Sequence, residues 1–135
     1  MTWRQAVTRA LRVPTVRAIR GATSVPADLP AEIEAAVVEL VRALERHNGL
    51  RPGEVISAIF TVTPDLCAAF PAEAARIAGW DAVPLLCTTE IAVPHGLPRC
   101  VRVLLHVQRH WNGAQPSHVY LREAATLRPD LSGRA

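Results

Sequence analysis

From Cys100 to Gln108 apolar and polar positions alternate. Val101, Val103, Leu105 and Val107 fall on one side of an extended chain, and Cys100, Arg102, Leu104, His106 and Gln108 on the other. A strand that buries its odd-numbered side leaves the Arg102 guanidinium opposite, where it needs water or an anion. Glu54–Val62 shows the same period, with Ile56, Ala58, Phe60 and Val62 against Val55, Ser57, Ile59 and Thr61. Both of its faces are largely apolar, so this strand is expected inside a sheet. Val16–Thr23 and Val83–Cys87 read as two further strands. His118–Leu127 reads as the last, with Tyr120, Arg122, Ala124 and Thr126 on one face.

Helical spacing appears in three places. Residues 1–13 place Trp3, Val7, Ala10 and Leu11 opposite Arg4, Arg9 and Arg12, a basic amphipathic leader that Pro14 separates from the rest. Asp28-Leu29-Pro30 looks like a helix start, an N-cap acid followed by proline in the first turn. Ile33, Val37, Leu40, Val41 and Leu44 make the stripe of that helix, and Asn48-Gly49 ends it. Phe70-Pro71 opens a short helix over Ala72–Ala78, which Gly79 closes. Arg76 sits in its last turn, where it serves either the helix dipole or an anion. The order of elements predicts an α+β domain: a mixed β-sheet with two helices packed on it. The domain is expected over residues 16–131, with an N-terminal extension at 1–15 and a tail at 132–135.

Composition narrows the chemistry. With 135 residues, half of them hydrophobic and 20% charged, the chain can bury one real core. All fifteen basic residues are arginine. That excludes a lysine Schiff base and a lysine-bearing phosphate loop, and any bound anion must be held by guanidinium. The arginines are scattered and aromatics are scarce, which argues against a nucleic-acid surface. No apolar run reaches membrane-spanning length. Three cysteines without a C-x-x-C pattern indicate a reducing, cytoplasmic setting. His106 and His110 diverge on a strand that leads into a loop, and nothing completes a metal site with them. What remains is Arg20, Arg76, Arg102 and Arg128, with Glu90, Tyr120 and Cys87 able to share a cleft. Arg17 and Arg20, three apart on one strand, face opposite sides, so one can enter a site while Gly21 leaves space beside it. This inventory suits a small polyanion carrying a hydroxyl.

Several segments then fall in a familiar order: Arg17–Thr23, Thr63-Pro64-Asp65-Leu66, Phe70-Pro71-Ala72, Ala78-Gly79-Trp80, Val83-Pro84, Cys100–Val103, His118–Leu121 and Leu127–Leu131. Together they closely resemble the AroH-class chorismate mutases over residues 16–131. The resemblance implies a homotrimer with a pseudo-α/β-barrel core and active sites between subunits. It implies the Claisen rearrangement of chorismate to prephenate, on the way to phenylalanine and tyrosine, with no cofactor and no metal.

The resemblance also assigns roles. Arg102 is expected at the breaking ether oxygen and a substrate carboxylate, Arg20 at a carboxylate, and Tyr120 assisting. Glu90 is expected at the ring hydroxyl with help from Cys87. Phe70, Ala72 and Arg76 are expected from the neighbouring subunit, and Leu127 and Arg128 at the C-terminal edge of the site. The residues before Cys87, Leu85 and Leu86, belong to the same substrate-binding set. Two positions depart from the pattern: Glu73 stands where the type has a basic residue, and Leu86 where it has threonine. Glu73 leaves open a catalytically silent trimer that binds an aromatic-pathway acid. A YjgF-type imine or enamine hydrolase, of similar architecture, is the other alternative.

Overall fold

β4, Cys100–Arg109, runs through the middle of a five-stranded sheet in the computed structural model of the protein. The structure describes residues 1–132, and of residues 8–12, 131 and 132 the backbone alone. The expected tail therefore lies, at 133–135, outside the described residues. β4 pairs antiparallel with both β1 (Thr15–Ser24) and β2 (Val55–Val62). β3 (Leu85–Thr89) joins β2 in parallel, and β5 (Val119–Tyr120) joins β1 in parallel. The order β3-β2-β4-β1-β5 makes a mixed sheet, as the element pattern predicts.

The odd-numbered side of β4 is buried because α2, Pro30–Asn48, lies on it. Ile33, Val37, Leu40, Val41 and Leu44 of α2 pack with Ile19, Phe60, Val101, Val103 and Leu105 of the sheet. Each leucine so buried contributes about 1.5–3 kcal/mol. On the α2 side the space beside Gly21 belongs to this packing. A Cβ there would stand 3.1 Å from Val103 and 3.2 Å from Leu40 and Leu44. α3, Pro71–Ala75, continues into a wider π turn, Arg76–Trp80, and packs chiefly on α2. Gly79, at φ 109°, takes the left-handed bend that ends it.

Four expectations need correction. Asp28 does not cap α2; Leu29 holds the cap position without a side-chain bond. The Asp28 carboxylate instead accepts the backbone N–H groups of Cys67 and Ala68 and the Cys67 thiol. The third strand starts at Leu85, since Val83 is still in a turn, its N–H donating to the Trp80 carbonyl. β2 changes phase at a bulge between Val55 and Ser57, which buries Val55 and leaves Ile56 43% exposed. The last strand stops at Tyr120. Arg122 turns at φ 52°, a 3-10 segment covers Arg122–Leu127, and the Ser24 side chain and carbonyl at the end of β1 take the Glu123 N–H and the Arg122 guanidinium. Tyr120, Arg122, Ala124 and Thr126 thus share no strand face.

α1, Trp3–Arg12, precedes the sheet, and Trp3 is 80% exposed. Thr15 is already in β1, and its carbonyl accepts the Trp111 indole N–H at 3.1 Å. A chain shortened to begin at Pro14, with an added Met, is expected to keep its thermal unfolding midpoint and its activity. A fall in either, read by thermal melting and turnover, would show that α1 packs on the core.

Candidate active site

The register of the sheet assembles the site. On the side away from α2, cross-strand pairing lines up Thr88, Thr61, Arg102, Ala22 and Tyr120 in one row. Leu86, Ile59, Leu104 and Arg20 form the next. Residues directly opposite one another on neighbouring strands share a face, so residues far apart in the chain meet here. Glu90 follows β3 and extends the parallel ladder, its N–H donating to the Val62 carbonyl at 2.8 Å. Its carboxylate returns to the open face and meets Arg102 as a fork. Arg102 donates from Nε to Oε1 at 2.8 Å and from Nη2 to Oε2 at 2.6 Å. The Thr61 hydroxyl also donates to Oε1. Arg20, Ile59, Thr61, Glu90, Arg102 and Tyr120 line a cavity of about 270 Å³.

Charge is fixed as well as placed. The Arg102 guanidinium holds the Glu90 carboxyl below the usual carboxylate range; partial burial opposes this and Thr61 adds to it. Arg102 itself is pushed further toward the cation by the same hydrogen bonds. Arg20 brings a guanidinium that makes no ion pair among the described residues, while its backbone N–H donates to His118 Nδ1 at 3.0 Å. Arg17, on the other side of β1, is occupied by Gln115 and the Trp111 ring. Beside the site, on the same face of β4 as Arg102, the Cys100 thiol is buried, which pushes its pKa up to about 11.

Other expected site residues lie apart from this cluster within the chain. Cys87 pairs with Phe60 on the helix-facing side of β3, away from Glu90. It lines a separate cavity of about 490 Å³ with Phe70 and Glu73. Ala72 is buried at 4% exposure. Arg76 is exposed; its backbone N–H donates to the Ala72 and Glu73 carbonyls, and its guanidinium makes no hydrogen bond or ion pair among the described residues. Leu85 is half-buried and Leu86 is 62% exposed on the open face. Leu127 meets Glu90 and Arg102 in an adjoining apolar recess of about 440 Å³. Arg128 binds Asp130 at 2.9 Å. The sequence reading missed Thr61 and His118. A hydroxyl in an otherwise apolar strand was the available signal for Thr61. His118 carried none, because its partner is a backbone group nearly a hundred residues away.

Burial, then the charges of Arg20 and Arg128, lower the His118 pKa below the ordinary 6.5. Between those two values the unfolded chain binds a proton that the folded chain refuses, so stability rises with pH across that window. Acidification from pH 7 to 5 is expected to cost wild type more stability than His118→Asn, measured by urea denaturation at both pH values. Equal losses would exclude His118 as the source.

A fixed guanidinium–carboxylate fork, a second arginine and a phenol on an α+β sheet define an arginine-based anion site, suited to stabilising charge. The chorismate mutase type I family profile matches residues 16–131. The chain is 50% identical to chorismate mutase AroH of Thermus thermophilus over 121 residues, covering 86% of this chain and 96% of that protein. It is 42% identical to chorismate mutase AroH of Bacillus subtilis (strain 168), covering 87% and 93%. A chorismate mutase structure from Clostridium thermocellum superposes with a TM-score of 0.75 at 45% identity, over 82% of this chain and 98% of that one. The chain belongs to the type I chorismate mutases, which bears out the resemblance and sets aside the YjgF-type alternative.

Proposed function

We infer that the protein is a chorismate mutase, an isomerase that converts chorismate to prephenate on the way to phenylalanine and tyrosine. The observation that carries the site assignment is the Arg102–Glu90 fork beside Arg20 and Tyr120 in one cavity. In the rearrangement an ether C–O bond breaks as a C–C bond forms, and no atom enters or leaves. Such a step needs a compact substrate conformer and a charge complement, not a nucleophile. Arg102 is the electrostatic catalyst. Its fork with Glu90 uses the Nε hydrogen and one on Nη2, leaving both Nη1 hydrogens and the other on Nη2 for the ether oxygen and a carboxylate. Negative charge grows on that oxygen as the bond stretches, so the guanidinium stabilises the transition state more than the substrate. Arg20 takes a carboxylate, Tyr120 assists, and Glu90 accepts the ring hydroxyl. Leu127 and Arg128 form one edge.

One chain supplies too little of this site. Chorismate carries two carboxylates, whereas Arg20 and Arg102 less Glu90 leave one net positive charge. The Arg102 side chain is also 51% exposed, and electrostatic catalysis needs water excluded. A neighbouring subunit in a homotrimer would supply both missing parts, covering the site with Phe70, Ala72 and Cys87 and adding the unpaired Arg76. Leu86, Ile56 and Val16 on or beside the open face, and Phe70 and Ile77 beyond it, are exposed apolar groups that such an assembly would bury. No helix among the described residues is long and apolar enough to cross a membrane. The cysteines are all free, which supports a reducing, cytoplasmic location. Loss of chorismate absorbance on adding purified protein, with prephenate as product, is the expected result. Binding without turnover would leave the silent trimer.

A further inference from the structure

We propose that Thr61 is a positioning residue that sets the plane of the Arg102 guanidinium through Glu90. The inference rests on the assignment of Arg102 and Glu90 above. Thr61 stands directly opposite Arg102 across the β2–β4 pair, and its hydroxyl donates to the same Glu90 oxygen that receives Arg102 Nε. Glu90 lies beyond the last residue of edge strand β3, where one backbone bond to Val62 holds it. Without a second anchor its carboxylate can pivot, and the guanidinium forked to it pivots too. Thr61, on an interior strand, supplies that anchor. Catalysis by a preorganised donor is sensitive to shifts of about 1 Å, so a hydroxyl bonded to Glu90 rather than to the reacting atoms still acts on the rate.

The charged and titratable groups facing Glu90 are Arg102 and, more distantly, the Cys100 thiol, both from β4, with Arg20 of β1 and Tyr120 of β5 lining the same cavity. Removing the Thr61 hydroxyl therefore leaves Arg102 as the main force depressing the Glu90 carboxyl, which should titrate higher than in wild type. Thr61→Val keeps the shape and deletes the donor. It is expected to lower kcat about tenfold, the scale of one hydrogen bond to a charged group, with KM within about twofold. Thr61→Ser should restore kcat. A ¹³C NMR titration of the Glu90 carboxyl in substrate-free protein should show its midpoint raised in Thr61→Val and restored in Thr61→Ser. If Thr61→Val does not fold, Thr61→Ala is read in the same two ways. Wild-type kcat in the valine variant, or an unmoved Glu90 midpoint, overturns the proposal. A wild-type protein that leaves chorismate unchanged would refute the functional reading instead, while the titration still decides whether Thr61 holds Glu90.

Discussion

Arg102→Ala is expected to lower kcat by about 10²–10³-fold, the scale for deleting one preorganised donor at a site of developing charge. The loss should fall on kcat more than on KM, because the ether oxygen draws fully on the guanidinium only as its bond breaks. Arg102→Lys should recover little. An ammonium is a point charge, and it cannot hold the Glu90 fork and present a planar edge to substrate at once. Folding should survive both changes. The ion pair sits on the open face with its arginine half exposed, so deleting it should cost about 1 kcal/mol or less. Thermal melting alongside steady-state kinetics separates the two effects. Near-normal turnover in either variant would remove Arg102 from the catalytic role.

Mixing two crippled chains should restore activity. In the proposed ring of three, each chain would give the Arg102 half of one site and the Arg76 half of another. Arg102→Ala and Arg76→Ala proteins, each impaired alone, are unfolded, mixed in equal amounts and refolded. Random assortment places an intact Arg102 chain before an intact Arg76 chain in about a quarter of sites. Activity should climb toward that fraction of wild type, above the mean of the two parents refolded separately. The motive is structural. Phe70, Glu73 and Cys87 line a different cavity from Arg20, Glu90 and Arg102, and the Arg76 guanidinium has no partner among the described residues. Mixed trimers that are confirmed by mass yet gain nothing would place both arginines in one chain's site.

Glu73 bears on the same half-site. It lines the second cavity with Phe70 and Cys87, so its carboxylate stands where the family pattern has a cation. A neighbouring half-site of this kind carries Arg76 as its positive charge and Glu73 as its negative one. In the proposed assembly Arg76 would therefore be the residue on which the dianion depends most from that side.

Period and punctuation carried much of the fold. The alternation in Cys100–Gln108 put Arg102 on the side away from the core, and the structure has it there because α2 covers the other. The stripe from Ile33 to Leu44 is the buried face of α2, and Gly49 closes it with φ 55°. These are local facts, settled by side-chain spacing and by the backbone freedom of a single residue. The order of short segments, read against a known family, added function and most of the candidate residues.

Tertiary structure decided the rest. Alternation cannot reveal a bulge, so the exposure of Ile56 became visible only against β4. An acid before a proline looks like a helix cap until the Cys67 and Ala68 amides claim its oxygens. Tyr120 is followed by a turn rather than more strand because Ser24, at the far end of β1, supplies the hydrogen bonds. Thr61 and Arg102 come from two strands, Glu90 from the residue just past a third, and Arg20 from a fourth. The sequence determined on its own which side chains could serve as charges. Only strand register, a relation between segments up to a hundred residues apart, decided which of them share a face, since a shift of one residue would send each to the opposite side.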